Sequence, residues 1–141
     1  SILVHGLKIA PPEAPHTGYM FDKGIYTADC FSKSANYCFS HSGGVGLMVL
    51  CEVDLGSSME LFEADHDAKS KLGKFHSTKG VGTYFPDPLQ FDEIDGITVP
   101  CGPLLKREGK QPRGALLYNE YIVFDTSRVR MKYLVEVEFG R

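Results

Sequence analysis

Between residues 130 and 139, apolar Met131, Tyr133, Val135, Val137 and Phe139 are interleaved with polar Lys132, Glu136 and Glu138. Successive side chains on a strand point to opposite faces, so this pattern predicts a strand with one buried and one wet face. Residues 119–125 read as a second strand. Residues 46–53 are apolar on both faces at first, which predicts a central strand. Asp95-Gly96 ahead of Ile97-Thr98-Val99 signals a tight turn into a strand. Gly24-Ile25-Tyr26-Thr27-Ala28 suits a short strand or turn. Helical signals are few. Ile2, Leu3, Leu7 and Ile9 suggest a short helix that Gly6 stops. Asp29 is placed to cap a helix over residues 30–39, on which Cys30, Ser34, Tyr37, Cys38 and His41 would share one side. Pro11-Pro12-Glu13-Ala14-Pro15 is a rigid extended connector. Residues 56–90 mix charge, Gly and Pro with little period, and predict a long loop decorating the core. The whole predicts an α+β domain dominated by antiparallel sheet, without repeats or low-complexity tracts.

Composition adjusts this picture in three ways. The 141 residues make one domain or part of one, and 15 Gly with 8 Pro favour turns and short strands over long helices. A net charge of −3 supplies no basic footprint, so any contact with DNA would be made by other domains of a parent protein. Neither a membrane span nor a signal peptide is visible, so no membrane partner is expected. Cys30, Cys38, Cys51 and Cys101 show no paired spacing, which points to a reducing intracellular compartment.

The candidate chemistry lies in two segments about eighty residues apart. One is Gly18-Tyr19-Met20-Phe21-Asp22-Lys23-Gly24-Ile25-Tyr26, continuing through Ser32-Lys33-Ser34-Ala35-Asn36-Tyr37-Cys38. The other is Leu117-Tyr118-Asn119-Glu120-Tyr121-Ile122-Val123. They supply stacking aromatics, small hydroxyl and ammonium groups, and a carboxylate heading a strand. Such a kit suits a flat aromatic amide on a sugar. Gly44-Val45-Gly46 is not a dinucleotide-binding fingerprint, because the third glycine is missing and a strand rather than a helix follows. The five His and four Cys match no zinc spacing, and no metal site is expected.

These two segments, with Leu7-Lys8-Ile9-Ala10-Pro11-Pro12-Glu13-Ala14-Pro15, His76-Ser77-Thr78-Lys79-Gly80 and Val129-Arg130-Met131-Lys132-Tyr133-Leu134, resemble the catalytic domain of poly(ADP-ribose) polymerases. The resemblance is nearest to the nuclear, DNA-damage-responsive branch and runs the length of the chain. Taken singly, each residue has a plain structural reading: Tyr37 as core packing, Glu120 as a solvated strand end, Lys33 as a surface lysine. Several motifs in the right order carry the identification.

The resemblance implies a mostly antiparallel ADP-ribosyltransferase fold, with residues 1–141 its C-terminal part, incomplete at the N-terminal end. A family His would precede the segment matched by Ser1-Ile2-Leu3, and His5 does not replace it. A complementary N-terminal segment is therefore an expected partner. Glu120, Tyr26 and Lys33 match catalytic positions. Ser34, Tyr37, Tyr19, Ala28 and Lys8 match positions binding NAD and its nicotinamide, Lys8 standing where an Arg reaches the phosphates. Met20 and Tyr118 match positions binding the acceptor ADP-ribose. Asp22 stands where the nuclear enzymes usually carry Gly. The implied reaction transfers ADP-ribose from NAD to protein acceptors, releases nicotinamide and elongates poly(ADP-ribose), in the nucleus and in response to DNA damage. NAD is a consumed substrate, with no permanently bound cofactor. Two other activities fit the same residues: non-catalytic binding of NAD or ADP-ribose, and NAD glycohydrolysis with water as acceptor.

Overall fold

The computed structural model describes residues 2–15, 17–38, 44–113 and 115–140. In chain order these form α1 (Ile2–His5), β1 (Ile25–Thr27), α2 (Phe31–Ala35), β2 (Val45–Val53), β3 (Ser58–Leu61), β4 (Ser77–Gly80), β5 (Gly82–Pro86), β6 (Phe91–Ile94), β7 (Ile97–Pro100), β8 (Leu104–Lys106), β9 (Leu116–Tyr118), β10 (Glu120–Val123) and β11 (Val129–Glu138). Short helices in a strand-dominated chain make this an α+β fold, as the hydrophobic pattern predicts.

Two sheets share a corner. The first has order β1-β10-β4-β3, antiparallel except for the parallel β3–β4 pair. The second has order β8-β5-β9, with β5 antiparallel to β8 and parallel to β9. Only Val81 separates β4 from β5, and only Asn119 separates β9 from β10. At that corner the Gly82 amide donates to Asn119 Oδ1 at 2.9 Å, in buried surroundings. A Cβ on Gly82 would lie 2.2 Å from the Tyr118 carbonyl carbon, so the two backbones meet as closely as only glycine allows. Phe21, Ala68, Leu116 and Ile122 form the core on one face of the first sheet, with Tyr26, Met20, Met59, Leu61 and Phe124 packed around them.

Several predicted elements are present. Gly6, at φ 73°, ends α1, its amide donating to the Ile2 carbonyl at 2.8 Å. Asp95 and Gly96 both have positive φ in the two-residue loop of the β6–β7 hairpin, the mirror-image turn that fits strand twist. Strands cover 25–27, 120–123 and 129–138 as the patterning indicates.

Four expectations are corrected. The helix expected over 30–39 is five residues long, and its N-cap is Cys30, not Asp29. Asp29 spends its carboxylate on β10 instead. Phe39 and His41, assigned to that helix, lie outside the described residues. Residues 56–90 are not a decorating loop: they contain β4, which lies between β10 and β3, and Ser77 and Thr78 are fully buried there. A strand of Ser, Thr, Lys and Gly carries no apolar alternation because its burial comes from neighbours on both edges. The apolar strand at 46–53 is not central among the described residues. It pairs only with β11, across a register shift between Met131 and Tyr133. Tyr133 and Val135 are exposed while Val137 is half-buried, so the apolar side of β11 is covered only in part.

Candidate active site

Glu120 opens β10 directly across from Gly80 on β4. Its side chain therefore shares a face with Ile122, which is fully buried in the core, and with Tyr26, which pairs with Ile122 from β1. Gly80 must lack a side chain here, since a Cβ would meet the Phe21 ring at 2.6 Å and Leu116 at 2.7 Å. Glu120 thus sits where the core face ends, 7% exposed. Its Oε1 accepts the Lys33 ammonium at 2.6 Å. Its Oε2 is buried and has no hydrogen-bond partner among the described residues. An unpaired buried carboxylate oxygen costs free energy that a protein seldom leaves uncompensated, and so marks a place for a donor.

Lys33 reaches Glu120 from α2 and also lies over the Tyr37 ring, 5.6 Å from its centroid. One ammonium therefore links the carboxylate to the ring of Tyr37, a residue that is 67% exposed. Ser34 follows on the same short helix, its carbonyl accepting from the Tyr37 amide at 3.0 Å. That bond continues the turn and carries Tyr37 past the end of α2. Tyr19 stands with its ring 6.1 Å from that of Tyr26. The Tyr26 hydroxyl accepts from the Phe21 amide at 2.9 Å and donates to the Asp22 carbonyl at 2.7 Å. Burial, more than the nearby Glu120 charge, pushes this phenol up to about 12. It stays protonated at working pH, and its ring walls the site while its hydroxyl closes the 21–26 turn.

That turn needs a left-handed residue. Asp22 adopts φ 68°, and its carboxylate accepts from the Lys23 amide at 2.8 Å and the Lys69 amide at 3.2 Å. Short acidic and amide side chains tolerate this region better than other non-glycine residues. A Gly would suit this left-handed backbone equally well.

Among the remaining expected site residues, Ala28 lies one step beyond the Thr27–Tyr121 pair and lines a depression with Leu50, Cys51 and Tyr133. Met20 is half-buried against the core, and its carbonyl accepts from the Asp65 amide at 2.8 Å. Tyr118 lies on β9 with its ring 6.4 Å from Tyr84. Lys8 is exposed and lines a separate depression with Ile2, His5, Gly6 and Leu7. The structure therefore gathers Glu120, Lys33, Tyr37, Ser34, Tyr26 and Tyr19 into one neighbourhood. Lys8 is not among the groups around Glu120.

Three supporting residues escape a sequence reading. Asp29 accepts from Asn119 Nδ2 and from the Tyr121 hydroxyl, both at 2.9 Å. Asn119 is 3% exposed and ties β9–β10 to Gly82. Lys23 is 6% exposed and donates to the carbonyls of Pro11, Pro12 and Ala14, fastening the proline connector to the start of β1. No spacing announces such roles. The signal available was a lysine and two short polar residues embedded in otherwise apolar or glycine-rich strings.

The mainly antiparallel sheet thus carries a buried glutamate at the head of an inner strand, paired with a lysine. Residues 1–139 match the poly(ADP-ribose) polymerase catalytic domain, and the chain belongs to that family. It is 54% identical over 141 residues to poly(ADP-ribose) polymerase 2 of Homo sapiens, covering 99% of this chain and 24% of that protein. Poly(ADP-ribose) polymerase 2 of Arabidopsis thaliana is 49% identical over 141 residues, with 99% and 22% covered. Poly(ADP-ribose) polymerase 1 of Gallus gallus is 51% identical over 140 residues, with 99% and 14% covered. The chain thus spans less than a quarter of the length of these relatives.

Proposed function

We propose that this chain forms the glutamate-bearing part of an NAD-dependent protein ADP-ribosyltransferase that builds poly(ADP-ribose). The observation that carries the reading is the state of Glu120: one oxygen is paired with Lys33, and the other is buried with no partner among the described residues. Breaking the nicotinamide–ribose bond develops positive charge on the sugar, in an oxocarbenium-like transition state. A carboxylate fixed in a protein surface favours that charge without having to reorganise. Its free oxygen can accept a ribose hydroxyl, a hydrogen bond that strengthens as the charge grows. Lys33 holds the carboxylate in one orientation. Tyr37 offers a face for the nicotinamide ring, where offset stacking is worth about 0.5–1.5 kcal/mol beyond area burial. The Ser34 hydroxyl can both donate to and accept from the carboxamide. Tyr19 and Tyr26 form the opposite wall, and Ala28 is assigned to NAD binding by the family resemblance.

In this reading NAD is consumed, the nicotinamide leaves, and a hydroxyl or carboxylate of the acceptor takes its place on the ribose. Met20 and Tyr118 receive the growing end of the polymer. Lys8 is assigned to the NAD phosphates by the family resemblance alone, since it lines a depression with Ile2, His5, Gly6 and Leu7. The similarity to polymerases 1 and 2 supports a nuclear, DNA-damage-linked setting, with DNA bound by other domains of the parent protein.

Isotopically labelled NAD separates this activity from its rivals. The full-length protein should place label in long protein-bound polymer, and Glu120→Gln should abolish polymer while leaving NAD binding within about threefold. Label found only as free ADP-ribose would establish a glycohydrolase. NAD bound but not consumed by the full-length protein would establish a binding module.

A further inference from the structure

Asp29 lies between β1 and α2, close to the pair that the proposed reaction uses, yet no role in that reaction has been assigned to it. Its Oδ2 accepts two hydrogen bonds, from Asn119 Nδ2 and from the Tyr121 hydroxyl. These two residues are the immediate neighbours of Glu120 in the chain, one on each side. The Asn119 amide is held at its other end too, where its Oδ1 accepts from Gly82. A continuous relay therefore runs from the β4–β5 corner through Asn119 to Asp29 and back to Tyr121. On its own strand connection, Asp29 leads within four residues to Lys33, the cation that faces Glu120. Asp29 thus bonds to both chain neighbours of Glu120, while Lys33 follows it by one short stretch of backbone. Burial, and after it the negative charge of Asp29, raises the Tyr121 phenol, so Tyr121 remains a donor at any working pH.

We propose that Asp29 is a positioning residue for the reaction inferred above, gripping the chain on both sides of Glu120 so that the carboxylate and Lys33 keep one mutual geometry. This inference rests on the functional reading of Glu120. The physical warrant is that small displacements of a reacting group are expensive: an error of about 1 Å can cost on the order of a hundredfold in rate. Glu120 begins its strand, where ladder hydrogen bonds hold one side of the residue only, and the Asp29 clamp supplies what the ladder does not.

The test uses the full-length protein and reads three quantities in each variant: kcat for nicotinamide release, KM for NAD, and affinity for benzamide, a bare aryl carboxamide that reports on Tyr37 and Ser34. Asp29→Ala removes the shared acceptor and should lower kcat by about tenfold to a hundredfold. KM and benzamide affinity should stay within about twofold, because ground-state contacts are untouched. Asp29→Asn keeps one oxygen able to accept both bonds, so it should recover kcat to within about threefold of the unmodified protein. Tyr121→Phe deletes one donor without touching Asp29 and should lower kcat severalfold at unchanged KM. It also decides the matter if Asp29→Ala fails to fold. An unchanged kcat in Asp29→Ala, or in Tyr121→Phe where that variant decides, would overturn the inference. So would a benzamide affinity that falls in step with kcat, or an Asp29→Asn variant as impaired as Asp29→Ala. No nicotinamide release from the unmodified protein would sink the functional reading itself, and this inference with it.

Discussion

Glu120 and Tyr26 show how far single residues can be read from sequence. Their positions in the matched motifs marked them before any coordinates, and the structure places them on one face. What the string did not reveal is how each polar atom is employed. The Tyr26 hydroxyl is used up within the 21–26 turn, and its raised pKa of about 12 carries a stability consequence. A phenol whose folded pKa lies above its unfolded value of about 10 stabilises the fold fully below pH 10. That contribution fades as pH rises through 12. Denaturant melts from pH 9 to pH 11 should therefore show stability falling, and Tyr26→Phe should show a shallower fall over the same interval. Parallel slopes would mean that the hydroxyl is not held as described. Asp29 was legible only as a helix cap, because Asp before a helical pattern usually is one. Its partners lie ninety residues away, and no local rule reaches that far.

At the scale of elements, legibility followed the kind of force at work. The β6–β7 hairpin was readable because Asp95-Gly96 encodes its own turn. Strand β4 was not, because its residues are polar or small and it is held by ladders on both edges. Its continuation at Gly82 has the same character. A glycine in a segment without period looks like loop, yet here it permits backbone contact with Tyr118 and Asn119. Gly82→Ala should push β9–β10 away from β5, break the bond to Asn119 Oδ1 and cost about 2–3 kcal/mol. A thermal melt would show a lowered midpoint, with nicotinamide release falling further than stability because Glu120 rides on the displaced strand. An alanine variant as stable and active as the parent would refute the close approach.

The whole molecule departs most from its patterning at the β2–β11 ribbon. Val45, Leu47, Leu50, Tyr133, Leu134 and Val135 all lie at 40% exposure or more. The register puts Val45, Leu47 and Leu134 on one face of the ribbon and Leu50, Tyr133 and Val135 on the other, where Leu50 and Tyr133 share a depression with Ile97 and Val99 of β7. Contiguous exposed apolar surface beside strand edges favours association. The isolated 141-residue chain should therefore sediment as multimers at micromolar concentration, and Leu47→Lys with Leu134→Lys should shift it towards monomer. A monodisperse parent chain would contradict this. The α+β class, the strand-rich balance and the family were all evident from ordered motifs, whereas the arrangement of the sheets around their shared corner depended on contacts that motifs do not encode.

The most direct test of the central claim is single-turnover release of nicotinamide from NAD by the full-length protein, compared with Glu120→Gln and with benzamide affinity measured on the same samples. If the buried, unpaired oxygen of Glu120 acts on the ribose as charge develops, release should fall by at least about a hundredfold in the variant while benzamide affinity holds within about twofold. Release that survives the substitution, or that is lost together with benzamide binding, would show that Glu120 supports the fold and not the reaction.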